Sequence, residues 1–94
     1  MKNIKMRELI LKAEQSQPIV NVGKSGVTEN LISEIQMHAK KRKVFKVKVR
    51  RNILQNKSRF EVFSDIASRT GLEVVKITGN TAIFLYKGKK YQRS

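Results

Sequence analysis

The chain has 94 residues, enough for one domain with one modest hydrophobic core. It is 39% hydrophobic and has no cysteine, which argues against a wholly disordered chain and excludes disulfides and thiolate metal sites. Twenty-one Lys and Arg residues against seven Asp and Glu give a net charge of +14. Because this charge repels itself in the compact state, we expect a polyanionic partner, with nucleic acid ahead of an anionic membrane surface or an acidic protein.

Both halves of the chain carry an excess of Lys and Arg, so the positive charge belongs to the folded domain rather than to a removable tail. Charges between Lys2 and Glu8 interrupt the apolar stretch that a signal peptide needs. No apolar run approaches the roughly 20 residues that span a bilayer. We therefore expect a cytoplasmic protein without a membrane partner.

Apolar residues at helical spacing predict a first helix over residues 2–16. Pro18 disfavours a helical conformation at the residue before it, so this helix must end there, and a short β-rich run follows up to Gly23. Thr28 is a good N-cap for a second helix. The apolar stripe of that helix consists of Leu31, Ile32, Ile35 and Ala39.

From Val44 the apolar period becomes two, which predicts a strand with one buried and one solvated face. The buried face consists of Phe45, Val47 and Val49, and the solvated face of Lys46, Lys48 and Arg50. Residues 52–57 predict a polar turn, after which Ser58 and Glu61 have the spacing of a capping box.

A third helix follows, and Gly71 lies where a left-handed glycine would end it. Its apolar stripe, which we expect in the core, consists of Phe60, Phe63, Ile66 and Ala67. Two β-rich runs, residues 72–78 and 81–87, are then joined by Gly79 and Asn80, a strong signal for a two-residue hairpin.

The resulting order, α-β-α-β-α-β-β, predicts the fold class. Helices between the first three strands favour crossover connections, whereas the last two strands must be antiparallel. We therefore expect an α/β two-layer sandwich with a four-stranded mixed sheet. One domain should cover residues 1–88, followed by a short basic tail over residues 89–94.

Two glycines three residues apart stand between the first strand and the second helix. Glycines at these positions let the backbone turn tightly and bring amide groups and the helix N-terminus toward a phosphate, to which Lys24 adds charge. The candidate site residues in this loop are Gly23, Lys24, Ser25, Gly26 and Thr28. The alternative interpretation is a purely structural turn. The spacing matches neither a P-loop nor a dinucleotide fingerprint, so ATP and NAD have no support.

The second candidate group is a basic run in which eight of twelve positions are Lys or Arg and none is acidic. Its members are Lys40, Lys41, Arg42, Lys43, Lys46, Lys48, Arg50 and Arg51. Alternate side chains of a strand stand about 6.7 Å apart, close to the phosphate spacing along one nucleic-acid strand. A face kept solvated by its charge is the alternative, but without interspersed carboxylates a polyanion site is favoured.

The sequence offers no recognisable active site. His38 is the single histidine, and it lies near a helix end, where a surface role is favoured over catalysis. The acidic residues are scattered, and Ser25 has no base other than His38 available to activate it. We therefore expect a protein that is not an enzyme and has no cofactor and no metal.

The pattern resembles the CRM domain (chloroplast RNA splicing and ribosome maturation), in particular the stand-alone YhbY-like RNA-binding proteins of prokaryotes. The most specific part runs from Pro18 to Asn30, with its proline-led strand, GxxG loop and Thr-Glu pair. Further matches are residues 45–49, residues 69–71 and residues 77–81. The resemblance covers nearly the whole chain, which is more basic than bacterial members, notably over residues 40–51.

This resemblance implies a fold like the C-terminal domain of translation initiation factor three. It also implies RNA binding, with the loop from Gly23 to Gly26 on the RNA backbone, and association with a precursor of the large ribosomal subunit. A monomer is favoured. The alternatives are an Alba-like architectural protein that binds DNA or RNA, against which the first helix and the GxxG loop argue, and a permanent structural protein of the ribosome.

Overall fold

The structure is a computed structural model that describes residues 2–50 and 58–87. The predicted turn over residues 52–57 and the predicted tail over residues 89–94 lie outside the described residues. The elements are α1 (Lys2–Gln15), β1 (Val20–Val22), α2 (Glu29–Lys41), β2 (Val44–Val49), α3 (Arg59–Thr70), β3 (Glu73–Thr78) and β4 (Thr81–Leu85). None of the helices in the described part of the chain is long and apolar enough to cross a membrane.

The four strands form one mixed sheet in the order β1-β2-β4-β3. β1 and β2 are parallel, and β4 runs antiparallel to both β2 and β3. The predicted hairpin is present, with Thr78 opposite Thr81 and a φ of 60° at Gly79. A positive φ at the first central residue alone is typical of a type II′ turn. The predicted fold class is therefore confirmed.

The main core lies between one face of the sheet and helices α2 and α3. At its centre the ring of Phe84 stacks on Phe45 at 6.2 Å and meets Phe63 edge-on at 6.1 Å, measured between ring centroids. These rings are at most 2% exposed. The aliphatic residues of this core are Val20, Val22, Leu31, Ile35, Ala39, Val47, Val49, Val62, Ile66, Leu72 and Ala82.

The prediction that Phe60 lies in the core is wrong. Phe60 is 55% exposed, and the Arg59 guanidinium lies 4.7 Å from the centre of its ring. Val62 is buried in the core, so the apolar stripe of α3 begins two residues later than the sequence pattern predicted. At the start of a helix, no residues of the same helix precede the first turn, so the apolar period cannot be read on that side and the buried face is poorly defined.

Helix caps follow the predicted chemistry. Thr28 Oγ1 accepts a hydrogen bond from the backbone N–H of Leu31 at the start of α2. Ser58 and Glu61 form a complete capping box at the start of α3. Gly71 ends this helix in the left-handed conformation, with a φ of 77°. The satisfied terminal groups explain why these helices begin and end where they do.

Helix α1 packs against β2 and β4 on the face of the sheet that carries Lys46. No glycine directly follows α1, and its last carbonyl groups accept hydrogen bonds from other donors: Ser16 donates its hydroxyl to the carbonyl oxygen of Lys12 and its backbone N–H to that of Ala13. The Lys46 ammonium donates hydrogen bonds to the carbonyl oxygens of Glu14 and Ser16, and Glu14 also pairs with Lys76 of β3. A half-buried strand lysine therefore caps α1 and fixes it to the sheet.

Candidate nucleic-acid interface

The GxxG loop is a tight turn at the end of β1. The backbone N–H of Gly26 donates a hydrogen bond to the carbonyl oxygen of Gly23 at 2.9 Å, which places Lys24 and Ser25 at the tip. Both tip residues are exposed. Gly26 has a φ of 75°, a conformation that side chains with a β-carbon rarely adopt, so the turn itself requires this glycine.

Gly23 has a different role, because its φ is not positive. A β-carbon at this position would have no atom within 4 Å, so neither conformation nor packing within the protein requires glycine there. What the missing side chain leaves is open space beside the main chain. This space allows the backbone of a ligand to approach the protein main chain closely.

Several basic groups meet at the edge of the sheet where this loop lies. β1 and β2 are parallel neighbours, so Gly23 and Arg50, which follow Val22 and Val49, leave the sheet side by side. The hairpin at Gly79 and Asn80 reaches the same edge, because the backbone N–H of Val49 donates to the carbonyl oxygen of Asn80 at 2.9 Å. We call this edge, formed by residues 23–26, Arg50 and the hairpin, the loop end.

A row of polar side chains crosses the sheet just behind the loop end. The register places one residue of each strand opposite the next, on the face that α1 partly covers. The row consists of Asn21, Lys48, Thr81 and Thr78. Asn21, Lys48 and Thr78 are exposed and Thr81 is half-buried, so this part of the face is open to solvent.

Arg69 also reaches the loop, and sequence reasoning did not include it in the site. Its guanidinium donates to the carbonyl oxygen of Val27 at 3.4 Å and pairs with Asp65 at 3.1 Å. Asp65 and Arg69 are four residues apart on α3, a spacing the sequence shows, but the contact with Val27 depends on how α3 packs.

The basic run is divided between the two ends of the sheet. Lys40, Lys41, Arg42 and Lys43 lie at the corner between α2 and β2, which we call the corner. Arg50 lies at the loop end, after a strand of six residues. At about 3.3 Å per residue, β2 is about 17 Å long, so Lys43 at the corner and Arg50 at the loop end stand about 23 Å apart.

The remaining predicted site residues have other placements. The ammonium of Lys46 bonds to the end of α1, so of the predicted solvated row Lys46, Lys48 and Arg50, the last two are fully exposed and Lys46 is half-buried. The hydroxyl of Thr28 caps α2. Arg51 lies outside the described residues. The structure thus groups Lys24 and Ser25 with Arg50 and Lys48, and places Lys46 apart from them.

The carboxylate of Glu29 lies beside the loop end, three residues after Gly26. Glu29 is exposed in the first turn of α2, where it already complements the positive end of the helix dipole. This weakens the expectation that the helix N-terminus itself holds a phosphate. Among the described residues, Lys24, Lys48 and Arg50 are exposed cations at or just behind this end, and the exposed Arg69 beside them is paired with Asp65. In the described ranges no cluster of three His, Asp or Glu residues could hold a metal ion.

Comparison with known proteins gives one family match. The model of the CRS1 / YhbY (CRM) domain matches residues 1–87. In solved structures, the fold is similar to the solution structure of the hypothetical protein SAV1595 from Staphylococcus aureus, described as "a putative RNA binding protein", with a TM-score of 0.68 and 29% identity. That match covers 88% of this chain and 84% of the other.

Three curated proteins are similar in sequence. "Probable RNA-binding protein YqeI" of Bacillus subtilis is 36% identical over 84 residues, covering 89% of this chain and 84% of that protein. "Probable RNA-binding protein MJ0652" of Methanocaldococcus jannaschii is 36% identical over 74 residues, and the chain spans about half its length, 54%. The chloroplastic group IIA intron splicing facilitator CRS1 of Zea mays is 35% identical over 78 residues, covering 80% of this chain and 11% of that protein.

Proposed function

Because the chain belongs to the CRS1 / YhbY (CRM) domain family, we propose that it binds structured RNA by gripping the phosphate backbone at the loop end. The names of its relatives in Bacillus subtilis and Methanocaldococcus jannaschii support RNA as the ligand. The observation that carries the mechanism is the meeting of an exposed turn, Lys24 and Ser25, with Lys48 and Arg50 at one edge of the sheet.

Each part of the loop end contributes a different contact. Lys24, Lys48 and Arg50 neutralise phosphates, and such contacts supply affinity without reading the sequence. The open space beside Gly23 lets the RNA backbone approach the main chain. Asn21, Thr78 and Thr81 offer neutral hydrogen-bonding groups, which suit the 2′-hydroxyls that distinguish RNA from DNA.

A substitution at Gly23 tests the loop. Gly23→Asp places a carboxylate in open space and should weaken binding of a blunt RNA hairpin by about tenfold or more, measured by fluorescence anisotropy. Ser64→Asp adds the same charge at an exposed position on α3 and should change binding by less than about twofold. Both variants should melt close to the wild-type temperature. If Gly23→Asp binds like wild type, the loop does not contact RNA.

The salt dependence tests the phosphate grip as a whole. If Lys24, Lys48 and Arg50 each neutralise one phosphate, the logarithm of the association constant should fall with the logarithm of salt concentration with a slope of about −3, steepening to about −4 to −5 if further basic residues bring the total to about five. A DNA duplex of matched sequence should bind more weakly at the same salt concentration. Equal affinity for this DNA duplex and for the blunt RNA hairpin would favour the Alba-like alternative.

We further propose that the bound RNA is ribosomal RNA in a cytoplasmic precursor of the large ribosomal subunit. The support is the resemblance to stand-alone members of the family, together with the strong positive charge. Sucrose-gradient fractionation of cell extract, followed by immunodetection, should then find the protein on immature large particles. Stoichiometric presence on mature ribosomes would instead indicate a permanent structural protein.

A further inference from the structure

A cleft lies at the far side of the fold from the loop end, between α1 and the corner. Its volume is about 510 Å³, within the range of roughly 300–1,000 Å³ typical of sites for small ligands. The wall on one side is the carboxyl-terminal half of α1, and the wall on the other side is the corner at Lys41, Arg42 and Lys43.

The charge of this cleft is one-sided. Among the described residues that line it, five are basic and none is acidic. Lys12, Lys41, Arg42 and Lys43 are exposed at its rim, whereas the ammonium of Lys46 is bonded to α1. A rim of this kind fits an anion.

The floor of the cleft is apolar. Leu9, Pro18 and Ile19 line it and are each partly buried, and Phe45, whose ring lies in the main core, also borders it. Gln17 is exposed at the mouth and follows the end of α1, so its amide can both donate and accept hydrogen bonds. The cleft therefore combines an apolar lining, one exposed amide side chain and a cationic rim.

Given that the protein binds RNA, as proposed above, we propose that this cleft takes one unpaired nucleotide of the same RNA. The base lies on the apolar floor with its edge toward Gln17, and the adjoining phosphate contacts Lys12 and the corner. A base stacked within a duplex cannot enter a concave site, whereas the splayed bases of loops, bulges and ends can. The site is separate from the loop end and adds a preference that phosphate contacts cannot give.

Two RNAs test this proposal: a blunt hairpin, and the same hairpin with an unpaired 3′ tail of about five nucleotides. Wild type should bind the tailed hairpin about tenfold more tightly at equal salt. Lys12→Ala should reduce this advantage to about threefold or less and leave binding of the blunt hairpin nearly unchanged. Arg7→Ala removes an exposed charge from the same helix outside the cleft and should preserve the advantage.

A third hairpin, whose tail carries abasic sugars, separates the base from its phosphate. The cleft requires the base, so the abasic tail should lose most of the advantage although it keeps every phosphate. Equal binding of the tailed and blunt hairpins by wild type, an abasic tail as good as the natural one, or an advantage that survives Lys12→Ala would each overturn the proposal. Failure of the blunt hairpin to bind at all would instead overturn the proposed function at the loop end.

Discussion

Replacing Lys46 with methionine tests whether this lysine serves the fold rather than the RNA. Methionine keeps an unbranched apolar side chain over the sheet and removes the ammonium. The hydrogen bonds to the carbonyl oxygens of Glu14 and Ser16 are then lost. Hydrogen bonds to charged groups contribute about 1.5–3 kcal/mol each, but one ammonium makes both and water can reach the exposed Ser16 carbonyl. We therefore expect a loss of about 2 kcal/mol in the free energy of unfolding.

Thermal denaturation followed by circular dichroism measures this loss. For a domain of this size, 1 kcal/mol corresponds to about 4–8 °C, so the melting temperature of Lys46→Met should fall by about 8–16 °C. The matched control is Lys48→Met, on the same strand and the same face of the sheet, two residues further on. Because Lys48 is exposed, its replacement should change stability by less than about 0.5 kcal/mol.

The two variants should rank the other way round in RNA affinity: Lys48→Met should lose more affinity for the blunt hairpin than Lys46→Met. Each neutralised phosphate adds about 0.9 to the steepness with which log K falls against log salt concentration. One such contact therefore strengthens binding by up to about eightfold at 0.1 M salt relative to 1 M salt, and Lys48→Met should lose up to that factor at 0.1 M. Lys46→Met should bind nearly as wild type, at a temperature where both are folded. Equal melting temperatures for the two variants, or a larger loss of affinity in Lys46→Met than in Lys48→Met, would refute this division of roles.

Three further predictions concern the fold. Phe63→Ala should lower the free energy of unfolding by about 3–5 kcal/mol in urea denaturation, whereas Phe60→Ala should lower it by less than about 1 kcal/mol, because only Phe63 is buried. Gly26→Ala should cost about 1–2 kcal/mol through its positive φ, and Gly23→Ala should be close to neutral; equal losses would contradict the assigned backbone roles. Ser58→Ala removes half of a capping box and should cost about 1 kcal/mol, measured in the same way.

The sequence predicted most of the fold because its local signals agree with one another. Thr28, Ser58 and Gly71 mark helix ends by their own chemistry, and the structure places all three as caps. The alternation around Val47 defines the buried face of β2 without reference to the rest of the chain. The family resemblance, predicted chiefly from Pro18 to Asn30, is confirmed by the match over residues 1–87.

The sequence could not predict the features that depend on tertiary packing. Alternation places Lys46 on the face opposite the core but does not reveal that the end of α1 covers it there. The pair Asp65 and Arg69 is visible as a helical spacing, whereas the contact between Arg69 and the loop is not. Phe60 was predicted in the core because two phenylalanines three residues apart match a helical stripe, although the core requires only the second.

The crossover path explains why a continuous basic run does not form a continuous basic surface. In the unit β1–α2–β2 the chain leaves the sheet at the loop end, follows α2 to the other end, and returns along β2. A run that begins in the last turn of α2 and ends after β2 must therefore have its halves at opposite ends. The strand between them supplies Phe45, Val47 and Val49 to the core, so it cannot bend to bring them together.

This separation constrains how one RNA could occupy both the loop end and the cleft. The shortest connection follows β1, an edge strand, since Gly23 ends it at the loop end and Pro18 and Ile19 precede it at the cleft. Asn21 is exposed between them. Ile19 at the cleft is four residues, or about 13 Å, from Gly23 along β1. A rigid duplex held at Gly23 has only paired, stacked bases at that distance, whereas a single strand leaving the duplex can present an unpaired base there. The tail effect should therefore appear only once the tail is long enough to follow β1, and shortening the tail in single-nucleotide steps should remove the affinity gain abruptly rather than in proportion to its phosphates.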